Sequence, residues 1–191
     1  MRNHIILEGP DGTGKSSLII EMKQLLENKG FTVVTSKNPS SPKLYQQMHD
    51  GVLTPFQIAM STLADMYTDF ELKLQDARDT ENVVILQDRS ALISAQVYNL
   101  PKMSYYEYSI WHLSASDIFD NYYRNMADFV ILTNEPFRIE SNIFINDENA
   151  KRYLKLINTG GYFWQNFIPF SSEENITESA QRLLEECGYD T

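Results

Sequence analysis

The chain has 191 residues, of which 42% are hydrophobic and 22% are charged, a balance that excludes disordered and fibrous proteins. Sixteen Lys and Arg against 26 Asp and Glu give a net charge of -10, which argues against non-specific binding to duplex nucleic acid. The chain has one cysteine and no run of roughly 18 apolar residues, so we expect a cytoplasmic protein without membrane contacts, folded as a single domain over residues 1–191.

The first predicted unit is a strand, a glycine-rich loop and a helix. Residues 3–8 are an apolar run that ends at a glycine, which is typical of a buried strand. Apolar side chains then recur at helical spacing from Lys15, and Gly30 is a helix stop. A second β-rich run at 31–35 is expected to pair in parallel with the first strand. Residues 36–42 contain two prolines and three serines, which predict a loop.

The rest of the chain continues to alternate between helix and strand. A spacing of three and four predicts one long amphipathic helix over 55–79, and 83–87 is a continuous apolar run typical of a buried strand. Further along, we predict a helix at about 104–126, strands at 128–133 and 167–170, and a last helix at 176–186. Such alternation predicts a three-layer α/β/α fold with a five-stranded parallel sheet, and ligands bound beyond the carboxyl ends of the strands.

A phosphate-binding motif lies between the first strand and the first helix. Residues 9–16 read GPDGTGKS and match G-x-x-x-x-G-K-[ST] in full. In such a P-loop, backbone N–H groups surround an anion at the helix start, Lys15 places a charge on the β- and γ-phosphates, and Ser16 holds Mg²⁺. We therefore predict a P-loop NTPase fold that binds ATP and Mg²⁺. The predicted ATP-binding residues are Gly9, Asp11, Gly12, Thr13, Gly14, Lys15, Ser16 and Ser17.

The motif and its surroundings resemble thymidylate kinases, a branch of the nucleoside monophosphate kinase family of P-loop proteins. The resemblance rests on LEGPDGTGKSS at 7–17, on the apolar strand that ends in Asp88-Arg89, and on ADFVIL at 127–132. It implies transfer of the γ-phosphoryl group of ATP to a pyrimidine deoxynucleoside monophosphate. It also implies a homodimer, the usual assembly in the family.

The resemblance implies roles for residues outside the loop and one inside it. Arg89 would hold the acceptor phosphate, for which a bidentate guanidinium is well suited, and Asp88 would lie beside Mg²⁺ or orient Arg89. Asp11 corresponds to a position that meets the acceptor's 3′ hydroxyl. Ser94 and Tyr98 keep the family's spacing from serine to aromatic residue, which suggests Tyr98 as a gate against a ribose 2′ hydroxyl.

Two departures from the family pattern concern the acceptor. Lys37-Asn38-Pro39 stands where the family often has Arg-Glu-Pro, so a cation is kept and a carboxylate is lost. A phosphate acceptor is already an anion and needs no base, so this change favours a phosphate over a hydroxyl acceptor. Met66 stands where an arginine of the family reaches thymine, so the base contacts are expected to differ.

The third departure is the lid, which looks truncated at about 134–150. Residues 134–147 contain a single cation, Arg138, which is a candidate catalytic residue. Lys151 and Arg152 are the other cations near that position, and which of the three moves over the phosphates stays open. An arginine that stabilises the transition state is typically worth about 10³ to 10⁵ in rate.

Two other functions stay open at this point. The first is a kinase of a pyrimidine hydroxyl group, either on a deoxynucleoside or on a 5-hydroxymethyl base, free or in DNA, with Glu8 or Asp88 as the base. The acidic balance argues against a DNA acceptor unless positive charge is concentrated locally. The second is a nucleotide-binding module without phosphotransfer, which the short lid favours.

Overall fold

The computed structural model describes residues 3–10, 12–124, 127–132, 147–159, 167–170 and 175–189. Within them, five parallel strands form one sheet between two groups of helices, which confirms the predicted three-layer α/β/α fold. The strands are β1 (His4–Glu8), β2 (Thr32–Lys37), β3 (Val83–Asp88), β4 (Ala127–Leu132) and β5 (Phe167–Phe170). Their order across the sheet is β2-β3-β1-β4-β5, so the central strand is the one that precedes the phosphate-binding motif.

Helices lie between consecutive strands and after the last one. They are α1 (Lys15–Asn28), α2 (Pro42–His49), α3 (Pro55–Asp69), α4 (Gln75–Arg78), α5 (Ala91–Tyr98), α6 (Tyr105–Ile118), α7 (Asp147–Thr159) and α8 (Ile176–Glu186). In these described ranges, no helix combines the length and the apolarity needed to cross a membrane.

The two faces of the sheet carry two separate apolar cores. Side chains alternate between the faces along a strand, so on β1 Ile5 and Leu7 pack with α1 and α8, whereas Ile6 packs with α3, α5 and α6. All three side chains are fully buried. Burial on both faces is the reason why the central strands β1 and β3 appear in the sequence as apolar runs.

Capping boxes fix where α3 and α6 begin. The Thr54 hydroxyl accepts a hydrogen bond from Gln57 N, and Gln57 Oε1 accepts one from Thr54 N at 2.9 Å. Ser104 and Glu107 make the same reciprocal pair before α6. These local bonds satisfy backbone N–H groups that a helix start leaves without intrahelical partners.

The predicted helix over 55–79 is wrong in one respect, because it is not one regular helix. A π-helical turn at Phe70–Leu74 separates α3 from α4, and its Phe70 and Leu74 side chains are buried in the core. The predicted helix at 104–126 likewise ends as an α-helix at Ile118 and continues as a π-helical turn, Phe119–Tyr123.

The predicted loop at 36–42 is shorter in the structure. The strand β2 extends to Lys37, where it pairs with β3, and α2 begins at Pro42. Ser41 caps α2 by accepting a hydrogen bond from Leu44 N at 3.3 Å, and proline is favoured in the first turn because its missing N–H is not needed there. The predicted lid lies outside the described residues as far as residue 146, and residues 147–150 belong to α7.

Candidate active site

The phosphate-binding motif connects the end of β1 to the start of α1. Gly12 and Gly14 have φ angles of 82° and 86°, in the left-handed region that glycine adopts at little cost. Gly14 is also the N-cap of α1 and offers no side chain to the first N–H groups of the helix. These groups carry the positive end of the helix dipole, which is the arrangement that binds phosphate in a P-loop.

The Lys15 side chain is held inside this loop. Its Nζ donates hydrogen bonds to the carbonyl oxygens of Gly9 at 3.1 Å and Pro10 at 2.7 Å, and the residue is 6% exposed. Thr13 is fully buried, and its hydroxyl donates to the same Pro10 carbonyl at 2.9 Å. The ammonium group therefore lies within the curve of the loop, where the motif predicts a cation for the phosphates.

Ser16 and Asp88 meet where β3 ends beside the loop. The Ser16 hydroxyl donates to Asp88 Oδ2 at 2.9 Å. Asp88 pairs with Leu7 of β1, and this register brings its carboxylate to the start of α1. Magnesium prefers oxygen ligands and is usually bound by one or two carboxylates together with phosphates, so these two side chains fit the predicted ion.

Arg89 follows Asp88 with its guanidinium between two tyrosines. Its Nη1 donates to the Tyr153 hydroxyl at 3.1 Å and to the Tyr98 hydroxyl at 3.5 Å, and its Cζ lies 5.7 Å from the centroid of the Tyr98 ring. Its φ angle of 68° is uncommon for a residue other than glycine. Such backbone strain concentrates at functional sites, where the surrounding structure holds it in place.

Glu8 is a buried carboxylate at the end of β1. It is fully buried, and it accepts hydrogen bonds from Ser90 N at 2.6 Å and from the hydroxyls of Ser90, Ser94 and Tyr153 at 3.2, 3.5 and 3.1 Å. Burial raises the pKa of Glu8, and the charges of Arg89 and Lys15 oppose that change. From the sequence alone Glu8 is a candidate only as an alternative base, although a carboxylate at the end of a buried strand, directly before the motif, is a signal of a functional residue.

Lys37 is the last residue of β2 and lies at the same carboxyl-terminal end of the sheet as the motif. It is the register partner of Asp88, its side chain is exposed, and its Nζ lies 5.7 Å from the centroid of the Tyr45 ring. The neighbouring Asn38 is buried, and its Nδ2 donates to the Thr62 carbonyl at 3.0 Å. Lys37, the cation predicted for the acceptor, is therefore at the carboxyl-terminal end of the sheet. The Asn38 amide is instead part of the packing against α3.

Other predicted site residues are placed differently. Met66 is 3% exposed and packs in the apolar core, because it lies on the inward stripe of α3, one turn after Leu63. Ser17 is exposed in the first turn of α1. Asp11 and Arg138 lie outside the described residues.

The two cations of α7 also differ from each other. Lys151 is exposed. Arg152 donates from Nη1 to the Val97 carbonyl at 2.9 Å and from Nη2 to Glu148 at 2.5 Å. Arg152 thus ties α7 to α5, next to the two tyrosines that contact Arg89.

Comparison with known proteins is consistent with this geometry. A family model described as AAA domain (dynein-related subfamily) matches residues 4–60, the segment that contains the P-loop. A thymidylate kinase of Geobacillus sp. (strain WCH70) is 33% identical over 48 residues, 25% of this chain and 23% of that protein. A probable thymidylate kinase of Methanosphaera stadtmanae is 27% identical over 103 residues, 50% of this chain and 53% of that protein. The chain thus spans about half, or less, of the length of these curated relatives.

The structural comparison covers nearly the whole chain. The crystal structure of thymidylate kinase from Ehrlichia chaffeensis superimposes with a TM-score of 0.67 at 13% sequence identity, covering 96% of this chain and 97% of that one. At this identity the similarity establishes the fold, and the local sequence matches agree with it. The chain is thus similar to thymidylate kinases in its fold and, over parts of its length, in its sequence.

Proposed function

We propose that the chain is a Mg²⁺- and ATP-dependent kinase of a pyrimidine deoxynucleoside monophosphate. The observation that carries this proposal is that Lys15, the Ser16–Asp88 pair and Arg89 all lie near the carboxyl ends of the neighbouring strands β1 and β3. Because β1 and β3 are neighbours, a phosphate donor at the loop and a phosphate acceptor at Arg89 would face each other. The thymidylate kinases to which the chain is similar give the acceptor class.

The chain's own residues supply positioning and charge. Lys15 and the N–H groups of the loop would hold the β- and γ-phosphates, and Ser16 and Asp88 would hold Mg²⁺, which neutralises charge on the phosphate oxygens. An acceptor phosphate oxygen forms the new bond to the γ-phosphorus, the bond to the β–γ bridging oxygen breaks, and ADP leaves. Positioning of this kind provides most of the catalysis in phosphoryl transfer.

Arg89 and Lys37 support a phosphate rather than a hydroxyl acceptor. Both cations lie at the carboxyl ends of adjacent strands, β3 and β2. A phosphate monoester is already deprotonated at neutral pH, so no base is required to activate it. The Tyr98 hydroxyl lies 3.5 Å from Nη1 of Arg89, the residue proposed to bind the acceptor phosphate. This proximity supports the proposed role of Tyr98 as a gate against a ribose 2′ hydroxyl.

We further propose a homodimer that forms through the outer surface of α3 and α6. Large side chains are exposed there, with Tyr67 at 40%, Tyr106 at 74% and Leu113 at 73%. Exposed apolar groups on adjacent helices are typical of interaction surfaces. Sedimentation of the purified chain tests this assembly, and a monomer at every concentration up to the micromolar range contradicts it.

The activity is tested by an assay that couples ADP release to a spectroscopic signal. The acceptor panel contains pyrimidine deoxynucleoside monophosphates, the matching ribonucleotides, free deoxynucleosides and 5-hydroxymethylated DNA, with Lys15→Ala as the blank. We expect turnover on deoxynucleoside monophosphates only. Turnover confined to hydroxyl acceptors would replace the proposal by a hydroxyl kinase, and ATP binding without turnover on any acceptor would replace it by a nucleotide-binding module.

A further inference from the structure

We propose that Glu8 is the positioning residue of Arg89, which it holds from two directions through Tyr153 and Ser90. The inference deepens the proposed function, on which it rests for what Arg89 binds. The position of the arginine itself can be measured without any substrate.

One carboxylate oxygen of Glu8 holds the guanidinium through a tyrosine. Glu8 Oε2 accepts a hydrogen bond from the Tyr153 hydroxyl at 3.1 Å, and the same hydroxyl accepts one from Arg89 Nη1 at 3.1 Å. A hydroxyl has one donor and two acceptor positions, so it can serve both bonds at once. The carboxylate and the guanidinium are thus connected through a single buried group.

The other carboxylate oxygen holds the backbone that follows the arginine. Glu8 Oε1 accepts from Ser90 N at 2.6 Å and from the Ser90 hydroxyl at 3.2 Å. Ser90 is also the N-cap of α5, since its hydroxyl accepts from Ile93 N. Glu8 therefore fixes the peptide group between Arg89 and the helix, which is where the chain leaves the left-handed conformation of Arg89.

The burial of Glu8 indicates that these bonds have a role beyond packing. A carboxylate with no exposed surface is costly unless it is fully hydrogen-bonded, whereas an apolar side chain at the same position would carry no such cost. An arginine side chain loses considerable rotamer freedom when it binds a ligand. Because the Glu8 network fixes Arg89 before the acceptor arrives, that entropy is lost during folding instead of during binding.

Two substitutions break the connection at different atoms. Tyr153→Phe removes the shared hydroxyl and keeps the ring. Glu8→Gln keeps one carbonyl oxygen for Ser90 and places an amide group, a donor, where the Tyr153 hydroxyl needs an acceptor. The matched control is Tyr123→Phe, the same change at a buried tyrosine of the same core that is not among the Arg89 contacts described above.

The test is the nuclear magnetic resonance spectrum of the guanidinium groups in protein labelled with ¹⁵N-arginine. The Arg89 signals are assigned by their loss in Arg89→Lys. We expect separate Nη signals in the wild type and in Tyr123→Phe, and a single averaged signal in Glu8→Gln and Tyr153→Phe. Unchanged Arg89 signals in both variants would overturn the inference, whether or not the chain is a kinase.

Kinetics provide the second measurement. Loss of a hydrogen bond to a charged group costs about tenfold to a hundredfold in affinity, so both variants should raise KM for the acceptor by about that factor. The KM for ATP should stay unchanged, and the double variant should be little worse than the more severe single one, because both changes break one connection. An equal rise in both KM values would indicate a structural role and contradict the inference. A wild type without turnover refutes the proposed function alone.

Discussion

At the scale of single residues, Lys15 is the most direct test of the phosphate loop. Its Nζ donates to the carbonyl oxygens of Gly9 and Pro10 in the loop, and Lys15→Ala removes this charge. We expect turnover to fall to the background rate, with the melting temperature within a few degrees of the wild type. Circular dichroism and the ADP assay measure the two properties on one sample. A folded variant that retains wild-type turnover would contradict the role of Lys15.

Ser16 provides a test of the proposed magnesium site. Its hydroxyl faces Asp88 Oδ2, and its removal should weaken binding of the ion, since one oxygen ligand is lost. We expect Ser16→Ala to raise the Mg²⁺ concentration required for half-maximal rate by about tenfold, in line with a lost hydrogen bond or ligand contact at a charged group. Ser109→Ala on α6, far along the chain from the loop, is the control. An unchanged Mg²⁺ requirement in Ser16→Ala would exclude the serine as a ligand.

The burial of His4 predicts that the stability of the folded chain depends on pH. The side chain is buried at 1% exposed, with Nε2 2.8 Å from Gln87 Oε1, and burial lowers its pKa from the usual 6.5 to about 4. Below pH 6.5 the unfolded chain takes up a proton that the folded chain takes up only near pH 4. The free energy of unfolding therefore falls as the pH falls through this window, by about 3 kcal/mol in total.

The comparison of wild type with His4→Gln isolates this contribution. Glu8 acts in the opposite direction, because a raised carboxyl pKa stabilises the folded state at low pH and this stabilisation is lost as the pH rises through the folded pKa. Both proteins contain Glu8, so its effect cancels in the difference. Urea unfolding between pH 4 and pH 7 should show a shallower pH dependence in the variant. Parallel curves would mean that burial does not lower the pKa of His4 in the folded protein.

At the scale of elements, the capping box at the start of α3 should contribute measurably to the stability of the fold. Thr54→Ala removes the hydroxyl that accepts from Gln57 N, and such a change costs typically about 1 kcal/mol of stability. Thr68→Ala, in the exposed part of the same helix, is the control, because alanine is the better helix former there. Chemical denaturation measures both variants. Equal effects of the two changes would indicate that the capping box does not stabilise α3.

The sequence predicts those elements best whose burial follows a regular pattern. The helix predicted at 176–186 is confirmed as α8, and the five predicted strands are confirmed. The apolar runs of β1 and β3 correspond to strands that are buried almost throughout. Short helices such as α2 and α5 give too few turns for a periodic signal, and their N-cap serines resemble loop residues. The π-helical turns occur where spacing alone still indicates regular helix.

The same contrast applies to the site. The loop from Gly9 to Ser16 is predictable because its residues are contiguous and each has a defined role in binding phosphate. The contacts among Glu8, Arg89 and Tyr153 join three elements, β1, the end of β3 and α7, and depend on which face of β1 the glutamate occupies. The spacing of residues along the sequence does not predict these contacts, because they depend on the strand order, in which β1 lies beside β3.

At the scale of the whole molecule, the fold reconciles an acidic chain with a phosphate-binding site. The net charge is -10, yet Lys37 ends β2, Arg89 directly follows β3, and Lys15 begins α1, which the phosphate-binding loop connects to the end of β1. Three cations are therefore gathered, together with the carboxylates of Glu8 and Asp88, at the carboxyl ends of the strands, where parallel α/β sheets bind ligands. A small nucleotide fits this distribution better than a long polyanion.

The central claim is that the chain transfers a phosphoryl group to a phosphate, and ³¹P nuclear magnetic resonance of the reaction identifies the bond formed. With thymidine 5′-monophosphate, ATP and Mg²⁺, we predict that signals of a nucleoside diphosphate replace those of the monophosphate as ADP accumulates, and that Lys15→Ala shows neither change. Release of inorganic phosphate without a new diphosphate, or no consumption of ATP with any acceptor of the panel, would contradict the account.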